Sequence, residues 1–141
     1  MHAPYAEPPP TTPVPAVARL LFATFKIARD SNATVITLMS KHLVKGTHKS
    51  DPETSTATNR LQVVQLNQDG TELTGYYLGH PLRKNVEYLN EHQEYSTRWV
   101  ELPEAEFFIR VALEPTCVYL VVYEVNGSDK LKLLSVNVNE P

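Results

Sequence analysis

"TCVYLVVYEV", residues 116–125, is the stretch that decides the fold. Val118, Leu120 and Val122 are apolar, and so are Tyr119, Val121 and Tyr123 between them. A strand with one wet face alternates apolar and polar residues; a strand covered on both sides does not. The run therefore reads as a central β-strand buried from two directions.

The neighbouring stretches have the simpler alternation. "AEFFIRVALE", residues 105–114, puts Phe107, Ile109, Val111 and Leu113 on one face and Arg110 and Glu114 opposite. "RLLFATFKIAR", residues 19–29, does the same with Leu21, Ala23, Phe25 and Ile27. "ATVITLMSKHLV" (33–44) is rich in β-branched residues and has no helical stripe. "RLQVVQL" (60–66) and "ELTGYYLG" (72–79) flank Asp69-Gly70, a strong hairpin signal. "STRWVEL" (96–102) and "KLKLLSVNVN" (130–139) complete the set, the latter after a turn at Asn126-Gly127. Leu82, Val86 and Leu89 in "PLRKNVEYLNEHQEY" (81–95) have helical spacing, so that segment reads as a short helix or an irregular connection.

About eight strands spaced by turn residues predict an all-β, two-sheet antiparallel sandwich, jelly-roll or immunoglobulin-like, over residues 18–141. The Cys…Trp…Cys signature of true immunoglobulin domains is absent, and no internal repeat points to a propeller or trefoil.

Composition narrows the chemistry. The net charge is −3, and Arg83-Lys84 is the only adjacent pair of basic residues, which argues against nucleic acid as a partner. No apolar run nears the ~20 residues of a membrane span, so no membrane insertion is expected. The single cysteine, Cys117, excludes an internal disulfide and a CxxC pair and reads as a buried hydrophobe. The histidines at 2, 42, 48, 80 and 92 lack the spacing of a preformed metal face. Neither a metal nor another cofactor is expected. There is no GxSxG elbow, and Glu101, Glu104 and Glu106 around Pro103 read as a solvated connection, so no catalytic residue is assigned and the chain reads as a non-enzyme.

Binding residues are expected in the turns and on the aromatics. The polar connection "KGTHKSDPETSTATN" (45–59) offers His48, Lys49, Asp51 and Glu53 as recognition contacts. Asp69, Asn126 and Asp129 belong to the shorter turns. Trp99, Tyr76 and Tyr77 are candidates for an aromatic platform that stacks on a sugar. Asn32-Ala33-Thr34 and Asn126-Gly127-Ser128 match the N-glycosylation pattern. Phe22, Leu43 and Phe108 read as apolar residues left on the outer faces, and so predict a homo-oligomer.

Ahead of the strands stands "PPPTTPVP" within residues 1–17, read as an extended polyproline spacer or hinge. Pro10-Thr11-Thr12-Pro13 satisfies PxxP but lacks an adjacent Arg or Lys. In outline, a short hinge followed by a β-sandwich, the chain resembles the projecting (P) domain of small non-enveloped RNA-virus capsid proteins of the nodavirus and tombusvirus kind. No residue motif carries this likeness. It implies a non-catalytic protruding spike that forms dimers or trimers through a sheet face. Its distal loops would meet a glycan or protein of the host surface, and its location would be the virion surface or another extracellular site. The alternatives are a tethered carbohydrate- or protein-binding module of a larger secreted protein, and a stand-alone cytoplasmic sandwich whose leader recruits a proline-reading partner.

Overall fold

Inward-facing residues at every second position build the core. The computed structural model describes residues 18–46, 57 and 59–140. The Pro-rich leader and most of the 45–59 connection, with His48, Lys49, Asp51 and Glu53, lie outside these residues. The described chain is all β: β1 (Arg19–Asp30), β2 (Ala33–Lys45), β3 (Asn59–Leu66), β4 (Glu72–Gly79), β5 (Arg83–Leu89), β6 (Tyr95–Glu101), β7 (Glu104–Leu113), β8 (Tyr119–Asn126) and β9 (Asp129–Asn137). One sheet has the order β2-β1-β7 and the other β4-β3-β8-β9, while β5 and β6 pair only with each other. Every pairing is antiparallel.

The two larger sheets enclose one core. Leu21, Phe25 and Ile27 of β1 and Ile109 and Val111 of β7 face Leu61 and Val63 of β3 and Leu120 and Val122 of β8. Phe25 stacks on Phe107, ring centroids 5.1 Å apart, a contact worth about 1 kcal/mol beyond its buried area. On β8, Val121 and Val125 face the other way from Leu120 and Val122 and are buried as well. The opening stretch is thus a central strand covered on both sides.

Polar side chains join the sheets where the aliphatic packing stops. Gln65 is buried on the inner side of β3 and reaches β7: its Nε2 donates to the Ala112 carbonyl (3.1 Å), and its Oε1 accepts from the Glu114 amide (2.7 Å). Lys41 of β2 donates to the carbonyls of Asn137 and Glu140, holding β2 against the end of the chain past β9.

The ninth strand comes from residues 81–95, which form neither a helix nor an irregular connection. They supply β5, a tight turn and the start of β6, a two-stranded arm. Its turn repeats the β3–β4 turn almost bond for bond. Asn67 Oδ1 accepts from the amides of Asp69 and Thr71, and Asn90 Oδ1 accepts from those of His92 and Glu94. The left-handed position is Gly70 (φ 82°) in the first turn and Gln93 (φ 62°) in the second. Glycine advertises such a turn in a sequence and glutamine does not, so Leu82, Val86 and Leu89 gave a false helical period.

Two outcomes follow. Gln93→Gly relieves a left-handed non-glycine and strengthens the arm by about 1 kcal/mol, read as roughly fivefold slower amide exchange in β5 and β6. Gln65→Leu keeps the volume but strands the Ala112 carbonyl and the Glu114 amide, and lowers stability in urea unfolding by about 2 kcal/mol.

Candidate functional site

The inward positions of β8 run Leu120, Val122, Glu124, so the third of them places a carboxylate at the end of the core. Its Oε2 gathers three donors. Thr34 Oγ1 of β2 donates at 2.8 Å, and Arg29 Nη2 of β1 lies at 3.2 Å. His80, at the corner between β4 and β5, donates from Nε2 at 2.8 Å. The Leu82 amide donates to His80 Nδ1 at 3.2 Å, which fixes the ring proton on Nε2. Burial disfavours the charged form of Glu124, but the hydrogen bonds from His80 and Thr34, with the positive charge of Arg29, outweigh it. They hold its pKa below the ordinary carboxylate value.

Beside this knot opens a cleft of about 290 Å³. Arg29 and Arg83 line it with one charge, Glu101 and Glu124 with the other, and the buried His80 and Leu82 line it at the root of the arm. The Leu102 amide donates to the Leu82 carbonyl (2.7 Å), closing that root. His80 is 7 % exposed and both its ring nitrogens are engaged, while the Thr34 hydroxyl spends its proton on Glu124. The cluster is built to hold geometry; a proton-transfer role would first break one of these bonds.

The expected binding residues divide between the two ends of the sandwich. Asn126 lines the cleft, and Asp129 borders the neighbouring groove beside Lys130. The β1–β2 tip, with Ser31 (φ 47°) and Asn32 (φ 71°) in its two-residue turn, stands at the same end. Both glycosylation-pattern asparagines therefore lie on hairpin tips beside the knot. Asp69 follows Leu66 at the opposite end of β3.

Trp99, Tyr76 and Tyr77 do not form one platform. Tyr76 points into the core side of β4, and burial pushes its hydroxyl pKa well up. Tyr77 faces outward beneath the Arg60 guanidinium, 3.8 Å from the ring centroid. Trp99 stands on the arm beside Arg83. Adjacent residues in a strand point to opposite faces, which separates Tyr76 from Tyr77.

Cys117 is buried, its thiol donates to the Tyr119 carbonyl, and burial pushes its pKa up, against the demands of a nucleophile. Among the described residues no group of three His, Cys, Asp or Glu side chains is placed to hold a metal ion. Glu124 and His80 were not singled out by motif. The signal that finds Glu124 is its phase: an acid in register with the buried Leu120 and Val122 needs a partner.

These features define a β-sandwich with a polar knot at one end and a hairpin arm rooted beside it. Comparison with protein-family models, with curated protein sequences and with solved structures found no match.

Glu124 makes stability depend on pH with a definite sign. Its folded-state pKa is depressed, so its contribution is complete above the unfolded carboxylate value of about 4.3 and is lost as pH falls through the lower folded value. Glu124→Gln costs about 1–2 kcal/mol near neutral pH, and a urea-unfolding series against pH shows a shallower acid limb for this variant than for the parent chain.

Proposed function

We propose that this chain is a non-catalytic recognition domain that associates with other copies of itself and displays its hairpin tips to a partner surface. The observation that carries the reading is that large apolar side chains left in solvent are grouped. On the outer face of β2-β1-β7, Phe108 is 60 % exposed and stacks on Phe22 with centroids 6.3 Å apart. Val44 of β2, opposite Leu20, is exposed on the same face close to Phe22, whereas Val35, opposite Ala28, lies at the far end of that face beyond Lys26 and Glu106. Leu43 pairs with Leu21 and so belongs to the core side of β2 rather than to this patch. A second group stands on the arm, where Leu89, Tyr95 and Trp99 share a face. Scattered apolar residues are ordinary on a surface, whereas contiguous ones mark contacts.

The full engagement of His80 and the burial of Cys117 favour recognition over catalysis. The narrower reading, a projecting capsid spike that attaches to a host, rests on the outline of a proline-rich leader and a sandwich. A glycan-binding module would have Trp99 and its neighbours on the arm as its stacking surface.

Sedimentation velocity of the full chain tests the association. Dimers or larger species that build up across the micromolar range are expected; a monomer persisting to near-millimolar concentration overturns the reading.

A further inference from the structure

Resting on the association reading above, we propose that two copies of this chain pack the outer faces of their β2-β1-β7 sheets together, strands antiparallel. The two-fold axis crosses the strands at Thr24 and Phe108. The register divides this face into five rungs, marked on β1 by Leu20, Phe22, Thr24, Lys26 and Ala28. On β7, Arg110 stands beside Phe22, Phe108 beside Thr24, Glu106 beside Lys26 and Glu104 beside Ala28.

The charges on the face are incompletely matched within one copy. Lys26 pairs with Glu104 at 3.3 Å. Neither Arg110 nor Glu106 has an ion-pair partner among the described residues, and both are exposed. They share a face of β7 four residues apart, about 14 Å along the strand, too far to meet each other.

A second copy supplies what each lacks. Two sheets packed face to face keep their strands within about 30° of one another. An axis in the plane of contact and across the strands leaves β7 over β7 and reverses the order of the rungs. Arg110 of each copy then faces Glu106 of the other, twice by symmetry, and Lys26 faces the Phe22 ring. Phe108 meets its own copy on the axis, where no charged residue lies. On β2, His42 meets the uncharged Thr37, and the valines at the two ends, Val44 and Val35, come together. Asp30 and Glu114 lie beyond either end of the five rungs. An axis running along β1 would instead set Lys26 against Lys26 and His42 against Arg110, so the charges specify the antiparallel arrangement. Three strands and five rungs cover roughly 14 Å by 27 Å. That is smaller than a standard stable interface, so micromolar affinity is expected.

A charge exchange tests the packing, by sedimentation velocity of the full chain in low salt. Arg110→Glu sets carboxylate against carboxylate, and Glu106→Arg sets guanidinium against guanidinium. Each variant alone associates at least tenfold more weakly than the parent chain. An equimolar mixture of the two, or one chain carrying both changes, recovers the parent affinity, because an arginine again faces a glutamate across the axis. Val44→Glu, on the strand farthest from β7, weakens association as well. Thermal melts confirm folding; if Arg110→Glu melts early, Glu106→Arg and the doubly exchanged chain carry the test. Association unchanged in both single variants, or folded variants that stay monomeric when mixed, overturns this packing. If Trp99→Glu then disperses the dimer, association itself stands and belongs to the arm. Rescue by the mixture with no effect of Val44→Glu also overturns it, and gives the contact to the edges of β7. A parent chain that stays monomeric removes both readings.

Discussion

An acid placed among aliphatic residues sets the terms for one whole end of this molecule. Glu124 continues the inward row of Leu120 and Val122, where an unpartnered carboxylate costs several kcal/mol. Arg29, Thr34 and His80 satisfy it through a single oxygen. They come from β1, from β2 and from the corner after β4, so one side chain joins both sheets and anchors the segment that launches the arm. The cleft, the β1–β2 tip and the arm root take their positions from these bonds. Gln65 acts similarly toward the opposite end of the sandwich, near the close of β3, with neutral bonds to the backbone at the end of β7 in place of charged ones.

Much of this architecture was readable from periodicity. The doubly apolar 116–125 run is the central strand, and the alternation in 19–29 and 105–114 gives the inner wall of the other sheet. Asp69-Gly70 and Asn126-Gly127 mark true turns because glycine takes the positive φ that each requires. The arm stayed hidden for the converse reason. Its turn uses Gln93 where glycine is expected, and apolar residues on both of its faces erase the period-2 signal.

The site was less legible, because it depends on which strand ends meet. Asn126 and Asp129 do border the cleft and its neighbouring groove. Asp69 shares their turn chemistry but stands at the other end, a separation set by the direction of β3 and invisible in composition. Tyr76 and Tyr77 look alike in sequence, yet the pleat buries one and turns the other out under Arg60. The Glu124 knot assembles residues 29, 34, 80 and 124, and no local motif spans such distances.

The way the arm is spliced into the chain has a consequence for variation. It interrupts the passage from β4, at the edge of one sheet, to β7, at the edge of the other, and its root is closed by Leu82 and Leu102. Nothing in the core register depends on how far the ribbon extends beyond that closure. Adding or removing one residue per strand would exchange its two faces, whereas two per strand would preserve them. The reach of the arm is therefore free to drift in even steps, while the sandwich beneath it keeps every contact it has.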